Sequence, residues 1–345
     1  MKKIVFTGGG TAGHIYPNLA IAGELKNYEM HYIGSNGMEE EIIKKFNNIT
    51  FHKIDTVKFD RAHMLKNLKL PFKLLKSIKE AKKVLKEIKP DVIFSKGGYV
   101  AIPVARAAKK LGIPLITHES DLSMGLANKV IAKSASAVCT TFYETSKLNQ
   151  KYIHTGQPIR KQILSGDRSK VLARIGYSTK PIILFVGGSL GSVRMNELLK
   201  DPSYLTKDFT IIHAVGKNNI SCVQNAPGYF PLAYLDPISD YYAAADLVVT
   251  RAGSGVINEL LALKKPMLML PLSKAASRGD QIENAKLFSK LGYGEMILDE
   301  NLSQQKLQQT IEKMMKNLSF YKKNLQKAGE NEANEKIIEL IEKFS

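Results

Sequence analysis

The sequence predicts an α/β protein made of two doubly wound parallel-sheet domains, and three observations carry that prediction. Short apolar runs alternate with helix-like stretches along the 345 residues, which is the pattern of strands joined by crossover helices. The series strand, glycine loop, helix opens twice, at residues 3 and 181, about 180 residues apart. The length suits two domains of ordinary size.

In the first half, Lys3–Phe6 reads as a strand, TGGGTAGH (7–14) as a glycine loop, and Ile15–Leu25 as a helix with Pro17 in its first turn. Further strands are expected at Met30–Ile33, Asp91–Ser95, Pro114–Thr117 and Ala137–Thr140. GQPIRKQ (156–162) reads as a connector, which splits the chain into residues 1–157 and 158–330. The second half restarts with a strand at Pro181–Val186 and the loop GGSLGS (187–192). Strands at Thr210–Ala214, Leu247–Thr250 and Pro266–Leu270 follow, and 303–344 is helical. Ligands of open α/β sheets bind beyond the carboxyl ends of strands. The segments that follow the strands are SKGGY (95–99), HESD (118–121), TRAGSG (250–255) and PLSKAASRGDQ (271–281), all polar or glycine-rich. Two such sets predict two Rossmann-like domains facing a cleft.

Composition narrows the function. Hydrophobic residues make up 44% of the chain, enough for two cores. Cys139 and Cys222 are far apart, so neither a disulfide framework nor a zinc cluster is expected. The N-terminal apolar run is too short for a signal peptide, and no stretch approaches the ~18 apolar residues of a membrane span. The net charge of +18 calls for an anionic partner. It is uneven: residues 1–157 hold 25 Lys/Arg against 13 Asp/Glu, and residues 158–345 hold 25 against 19.

Gly8-x-Gly10-x-x-Gly13 matches a dinucleotide fingerprint, but the second strand ends Ile33-Gly34-Ser35-Asn36 without the acid that would hold a ribose. What remains is a set of backbone N–H groups at a helix N-terminus that can hold a phosphate. GGSLGS has the same meaning. Taken alone, Ser254 reads as a helix N-cap. Its neighbours Gly253 and Gly255 suggest close approach to a ligand. Glu259 either favours the helix dipole or accepts two hydroxyls of a ribose. His14, at the loop–helix junction, is either structural or an acid–base group. His118 and Glu119 form a second candidate pair, with packing as the alternative for His118. No DxD motif occurs; Asp236 and Asp240 are four apart. Metal-dependent sugar transferases of the single-domain kind need such carboxylates to bind a metal–diphosphate unit, so if a diphosphate leaves here it is expected to be stabilised by helix dipoles and basic side chains, with no metal. Residues 61–89 hold ten Lys/Arg and two Glu, with apolar residues at helical spacing. Pro71 is expected to break this stretch into two helices. It reads as a crossover helix with a lysine face that suits anionic lipid. Aromatic platforms and nucleic-acid motifs are lacking, so no nucleic-acid partner is expected.

The stretches GGGTAGHIYPNLAIA (8–22), SKGGYVAIPVARAA (95–108), THESDLSMGLANK (117–129), GQPIR (156–160), GGSLGSVRMNE (187–197), TRAGSGVINEL (250–260) and DQIENA (280–285) together resemble the MurG family. These are bacterial transferases that add N-acetylglucosamine to the lipid-linked muramoyl-peptide precursor of peptidoglycan. The resemblance covers nearly the whole chain. Asp121 departs from it, since some members carry Asn there. The resemblance implies a GT-B fold in which the last helix, about 331–345, returns to the N-terminal domain. It implies inverting transfer of GlcNAc from UDP-GlcNAc to the 4-hydroxyl of undecaprenyl-pyrophosphoryl-MurNAc-peptide, without a cofactor, at the cytoplasmic face of the membrane. Residue by residue, it implies donor contacts at Thr11, Ala12, Gly13, Arg160, Ser189, the backbone near Leu235, Ser254, Gly255, Val256, Glu259 and Gln281. Thr11–His14 with Gly97, Gly98 and Tyr99 would line the acceptor side, with His14 as base and Glu119 as its understudy. A different glycolipid-forming transferase of the same fold and a non-catalytic nucleotide-sugar-binding protein are the alternatives.

Overall fold

The computed structural model describes residues 1–56, 70–188, 190–220, 223 and 226–345. The chain divides into two compact units, Met1–Arg160 with Asn331–Ser345, and Lys161–Glu330.

In the first unit the strands are β1 (Lys2–Thr7), β2 (Tyr28–Gly34), β3 (Ile49–Lys53), β4 (Val92–Ser95), β5 (Leu115–Glu119), β6 (Ala137–Thr140) and β7 (Tyr152–His154). They pair in the order β3-β2-β1-β4-β5-β6-β7, all parallel. Strands covered on both faces must be apolar throughout. Ile4, Val5 and Phe6 are accordingly fully buried, with Ile4 and Phe6 in one core cluster and Val5 in the other. The helices are α1 (Ala12–Ala22), α2 (Met38–Ile43), α3 (Leu70–Ile88), α4 (Ala101–Leu111), α5 (Leu126–Ala132) and α6 (Tyr143–Ser146).

Two expectations are corrected here. Helix α1 starts at Ala12, so Pro17 lies in its second turn; Ala12 and Gly13 carry no apolar signal that would reveal the earlier start. Pro71 is the second residue of α3, where a helix leaves the N–H unsatisfied anyway, and a helix before it would lie outside the described residues. His118 and Glu119 belong to β5 and do not follow it. The basic stretch before Leu70, including Lys66 and Lys69, lies outside the described residues, as do Ser189 and Cys222.

In the second unit the strands β8 (Ile182–Val186), β9 (Thr210–Ala214), β10 (Tyr229–Leu232), β11 (Leu247–Thr250), β12 (Met267–Met269) and β13 (Gly294–Met296) pair in the order β10-β9-β8-β11-β12-β13. Around them run α7 (Arg168–Ile175), α8 (Val193–Leu198), α9 (Ser203–Thr206), α10 (Ile238–Ala244), α11 (Ser254–Ala262), α12 (Asp280–Lys290), α13 (Gln304–Lys316) and α14 (Leu318–Gln326). In both units the strand order reverses beside the opening strand, between β1 and β4 and between β8 and β11. That reversal is where a doubly wound sheet opens a crevice for ligand.

The tail is three helices rather than one run. The last, α15 (Ala333–Phe344), belongs to the first unit. Ile337 and Ile341 are fully buried in the cluster that holds Ile4 and Phe6. The Asn334 amide clasps the backbone of Ile159, accepting from its N–H at 3.1 Å and donating to its carbonyl at 2.9 Å. Among the described residues, no helix is long and apolar enough to cross a membrane.

Candidate functional site

The loop after β1 is held from below. The Tyr32 hydroxyl donates to the Gly8 carbonyl at 2.5 Å, and the Asn18 amide donates to the Thr7 carbonyl at 3.2 Å. The acid missing from the end of β2 arrives from the next helix. Glu39 is buried, and its carboxylate accepts from Ser35 N–H at 3.0 Å and from Gly10 N–H at 3.3 Å. This glycine loop therefore already has an internal anion on one of its N–H groups.

His14, in the first turn of α1, places Nδ1 2.9 Å from the Gly9 carbonyl and 3.1 Å from Thr11 Oγ1. A carbonyl can only accept, so the neutral ring carries its proton on Nδ1 and its lone pair on Nε2. Gly98 is what lets the ring lie there. It sits at φ +79°, and a Cβ on it would stand 2.8 Å from the Gly9 carbonyl and 3.2 Å from His14 Nδ1. The ring of Tyr99 packs on Gly10 from the same turn. Gly9, Gly10 and His14 thus meet Gly98 and Tyr99 within one unit.

Glu119 is committed elsewhere. One carboxylate oxygen accepts from Asp121 N–H at 3.0 Å, and the other from Gly125 N–H and the Asn128 amide, both at 2.9 Å. Only 3% of the residue is exposed. His118 is fully buried, and burial with the nearby Lys96 ammonium holds its imidazole well below the usual histidine range. Both groups build the loop after β5. Arg160 lies in the first unit, its guanidinium over the Tyr16 ring at 4.1 Å from the centroid.

The second unit contains a cavity of about 430 Å³, lined by Gly187, Gly191, Ser192, Arg194, Arg251 and Gln281 among others. Its glycine loop is shaped by close backbone approach. Gly191 has φ +78°, and a Cβ there would stand 2.1 Å from the Val215 carbonyl, so no other residue fits. Ser192 caps α8, accepting from Met195 N–H at 3.4 Å. The cap of α11 is Gly253, which leaves Ser254 as the first helical residue, buried and bonded through its oxygens to the Asn258 amide. Cβ atoms built on Gly253 and Gly255 meet nothing within 4 Å. Glu259, one turn on, accepts from the Tyr242 hydroxyl at 3.2 Å. Gln281 accepts from Leu272 N–H at 2.9 Å at the cavity wall. Leu235 is buried just beyond β10.

Sequence reasoning misses three groups here. Arg251 lines the cavity while 8% exposed, and its Nη1 is buried without a hydrogen-bond partner. The next residue, Ala252, is held at φ +60°, a strained conformation that recurs at binding sites. Arg251 could have been found as the first charge after an apolar strand. Glu39 and Lys96 are harder to find, because the Gly10 loop that Glu39 supports and the His118 and Ser120 partners of Lys96 are distant in sequence. Among the described residues no group of three or more potential metal ligands occurs.

Comparison with known proteins accords with this geometry. Residues 4–140 match the glycosyltransferase family 28 N-terminal domain, and residues 182–341 match the glycosyltransferase family 28 C-terminal domain. A Clostridium novyi protein, named UDP-N-acetylglucosamine–N-acetylmuramyl-(pentapeptide) pyrophosphoryl-undecaprenol N-acetylglucosamine transferase, is 45% identical over 99% of this chain and 98% of its own length. A Lachnoclostridium phytofermentans protein of the same name is 46% identical, with 99% of each chain covered. The crystal structure of Acinetobacter baumannii MurG superposes with a TM-score of 0.79 at 26% identity, covering 99% of this chain and all of that one. The kitacinnamycin glycosyltransferase, at 15% identity and a TM-score of 0.76, shares the fold. Both halves and the full length point the same way: this is a GT-B glycosyltransferase, and the chain belongs to the MurG family.

Proposed function

We infer that the chain transfers GlcNAc from UDP-GlcNAc to the 4-hydroxyl of the muramoyl sugar in undecaprenyl-pyrophosphoryl-MurNAc-peptide, inverting the anomeric centre. The observation that carries the donor half is the second unit's cavity. A glycine loop, a helix N-terminus and a buried guanidinium with an unpartnered N–H converge on it, a donor set that matches a diphosphate. Around it Ser254, Gly255 and Val256 take the phosphate side, Glu259 the ribose and Gln281 a sugar hydroxyl. The backbone near Leu235 reads the uracil, and Arg160 and Ser189 complete the donor contacts.

The transfer is a single displacement at the anomeric carbon. The acceptor oxygen forms the new bond, UDP leaves with the bonding pair, and the acceptor proton passes to a base. Nε2 of His14 is that base. Glu119 serves by holding the loop that borders the acceptor. Thr11, Ala12 and Gly13 touch the donor's sugar, and Gly97, Gly98 and Tyr99 border the acceptor. The acceptor's polyprenyl chain stays in a bilayer, so the enzyme docks at the cytoplasmic face of the membrane. The basic stretch 61–89 supplies the attraction to anionic lipid. The test is UDP release measured with and without a muramoyl-lipid acceptor. Release only with that acceptor supports the reading. Release with a diacylglycerol acceptor instead would make this a glycolipid-forming enzyme, and tight UDP binding without release would make it a binding protein.

A further inference from the structure

We propose that Lys96 is a positioning residue of the acceptor side: its buried ammonium clamps the turn after β4 to the loop after β5 and sets one positive charge beneath the surface that receives the acceptor's diphosphate. This rests on the transfer reading above and adds a residue that the reading does not use.

Lys96 directly follows β4 and is 1% exposed, among the largest fully buried side chains. Its Nζ lies 2.5 Å from His118 Nδ1 and 2.7 Å from Ser120 Oγ. The direction of the first bond is fixed from the far side of the ring. His118 Nε2 is 2.8 Å from the Gly156 carbonyl, which only accepts, so Nε2 bears the proton and Nδ1 offers a lone pair. Lysine must be the donor. Its Cβ also lies 3.2 Å from where a Cβ on Gly8 would stand. One side chain thus touches the ends of β1, β4 and β5, the rim where a doubly wound sheet binds its ligand. The residues that follow it are Gly97, Gly98 and Tyr99, and Gly98 packs against His14.

Filling this volume does not require a cation, and burying one is costly unless its charge is used. Both direct partners, a neutral imidazole and a hydroxyl, are uncharged. The charged or titratable groups that face it are His118 and Glu119 on β5, Asp121 beyond it, and Cys139 on β6, with His14 across Gly98. Burial pulls the Lys96 ammonium down to about 7, against the raising influence of Glu119, Asp121 and Cys139. A diphosphate arriving nearby favours the charged form, so acceptor binding above neutral pH takes up a proton.

The experiment measures KM for a short-chain, water-soluble lipid acceptor and for UDP-GlcNAc between pH 6 and 9, in the wild type, Lys96→Gln and Lys96→Arg. Gln keeps an N–H for His118 but loses the charge; Arg keeps the charge at every pH. The wild-type acceptor KM is expected to rise by about tenfold per pH unit once Lys96 titrates. In Lys96→Gln the acceptor KM should already be high at pH 6 and flat with pH. In Lys96→Arg it should stay low to pH 9, and donor KM should be unchanged throughout. A Gln variant that retains the wild-type acceptor KM, or the wild-type rise with pH, would overturn the proposal. So would an equal rise in donor KM, which marks a general loss of structure. If thermal melts show that the larger Arg does not fit, the Gln variant alone decides. A wild type that turns over no muramoyl-lipid acceptor would sink the transfer reading itself, and this inference with it.

Discussion

The two acid–base candidates differ in what their polar atoms already do. Glu119 has both oxygens filled by three N–H donors, whereas the bond from His14 Nδ1 to Gly9 leaves the ring's basicity on Nε2. Replacing His14 with Ala should therefore lower kcat by about 10²- to 10⁴-fold, with little change in the Kd for UDP. If acceptor KM rises instead and kcat survives, His14 binds and does not catalyse; pre-steady-state and steady-state kinetics separate the two. On the donor side, Glu259→Ala should raise the KM for UDP-GlcNAc by roughly 10- to 100-fold, the loss expected when hydrogen bonds to a charged group are removed. Glu259 also accepts from Tyr242, so Tyr242→Phe is the control. A donor KM that rises equally in both variants would mean that the carboxylate acts through Tyr242 and not on the ribose.

The glycine loops are legible in the sequence because each requirement is local: an apolar strand, then residues without Cβ, then a helix. Three central strands, β6, β9 and β11, read out to the residue for the same reason. Edge strands do not. β7 and β13 have three residues each, too few to show a period. Glu39 and Lys96 are harder to find for a different reason, since a carboxylate under a loop and a buried ammonium exist only once separate strands are side by side. Helix α3 lies between these cases. Its amphipathic spacing is plain, and its exposed face carries Phe72 and Leu75, 76% and 55% exposed, beside Lys73. Lys76, by contrast, is paired with Asp55 at 2.8 Å and Glu80 at 3.5 Å, so part of its charge is spent on the protein. Changing Lys66, Lys69, Lys73 and Lys76 together to Gln should weaken binding to anionic vesicles by a few kcal/mol, at about 1 kcal/mol per cation that faces lipid. It should also flatten the salt dependence of binding. Co-sedimentation with anionic and neutral vesicles at two salt concentrations reads this; equal binding by wild type and variant would move the docking surface elsewhere. Activity on a water-soluble acceptor should persist.

Stability of the whole chain should depend on acid in a direction set by its buried imidazoles. Burial draws His213 down to about 3, and its Nε2 is buried without a partner; His118 is likewise held low. Above about pH 6.5 neither folded nor unfolded histidine is charged, and nothing is lost. Below it the unfolded chain takes up protons that the folded chain refuses. Each such histidine then costs about 1.4 kcal/mol per pH unit as pH falls toward the folded value. Thermal melts from pH 8 to pH 5 should show Tm falling below pH 6.5, less steeply in His213→Gln. Parallel curves would mean that another group dominates. The internal carboxylate of Glu39 carries a different consequence. The two units share one sheet plan, and a duplicated plan would ordinarily offer two equivalent nucleotide pockets. With Glu39 accepting from Gly10, one N–H of the first glycine loop is already taken, whereas the second unit's cavity keeps a buried guanidinium N–H without a partner, so the symmetry is broken. Calorimetric titration with UDP should therefore saturate at one equivalent per chain.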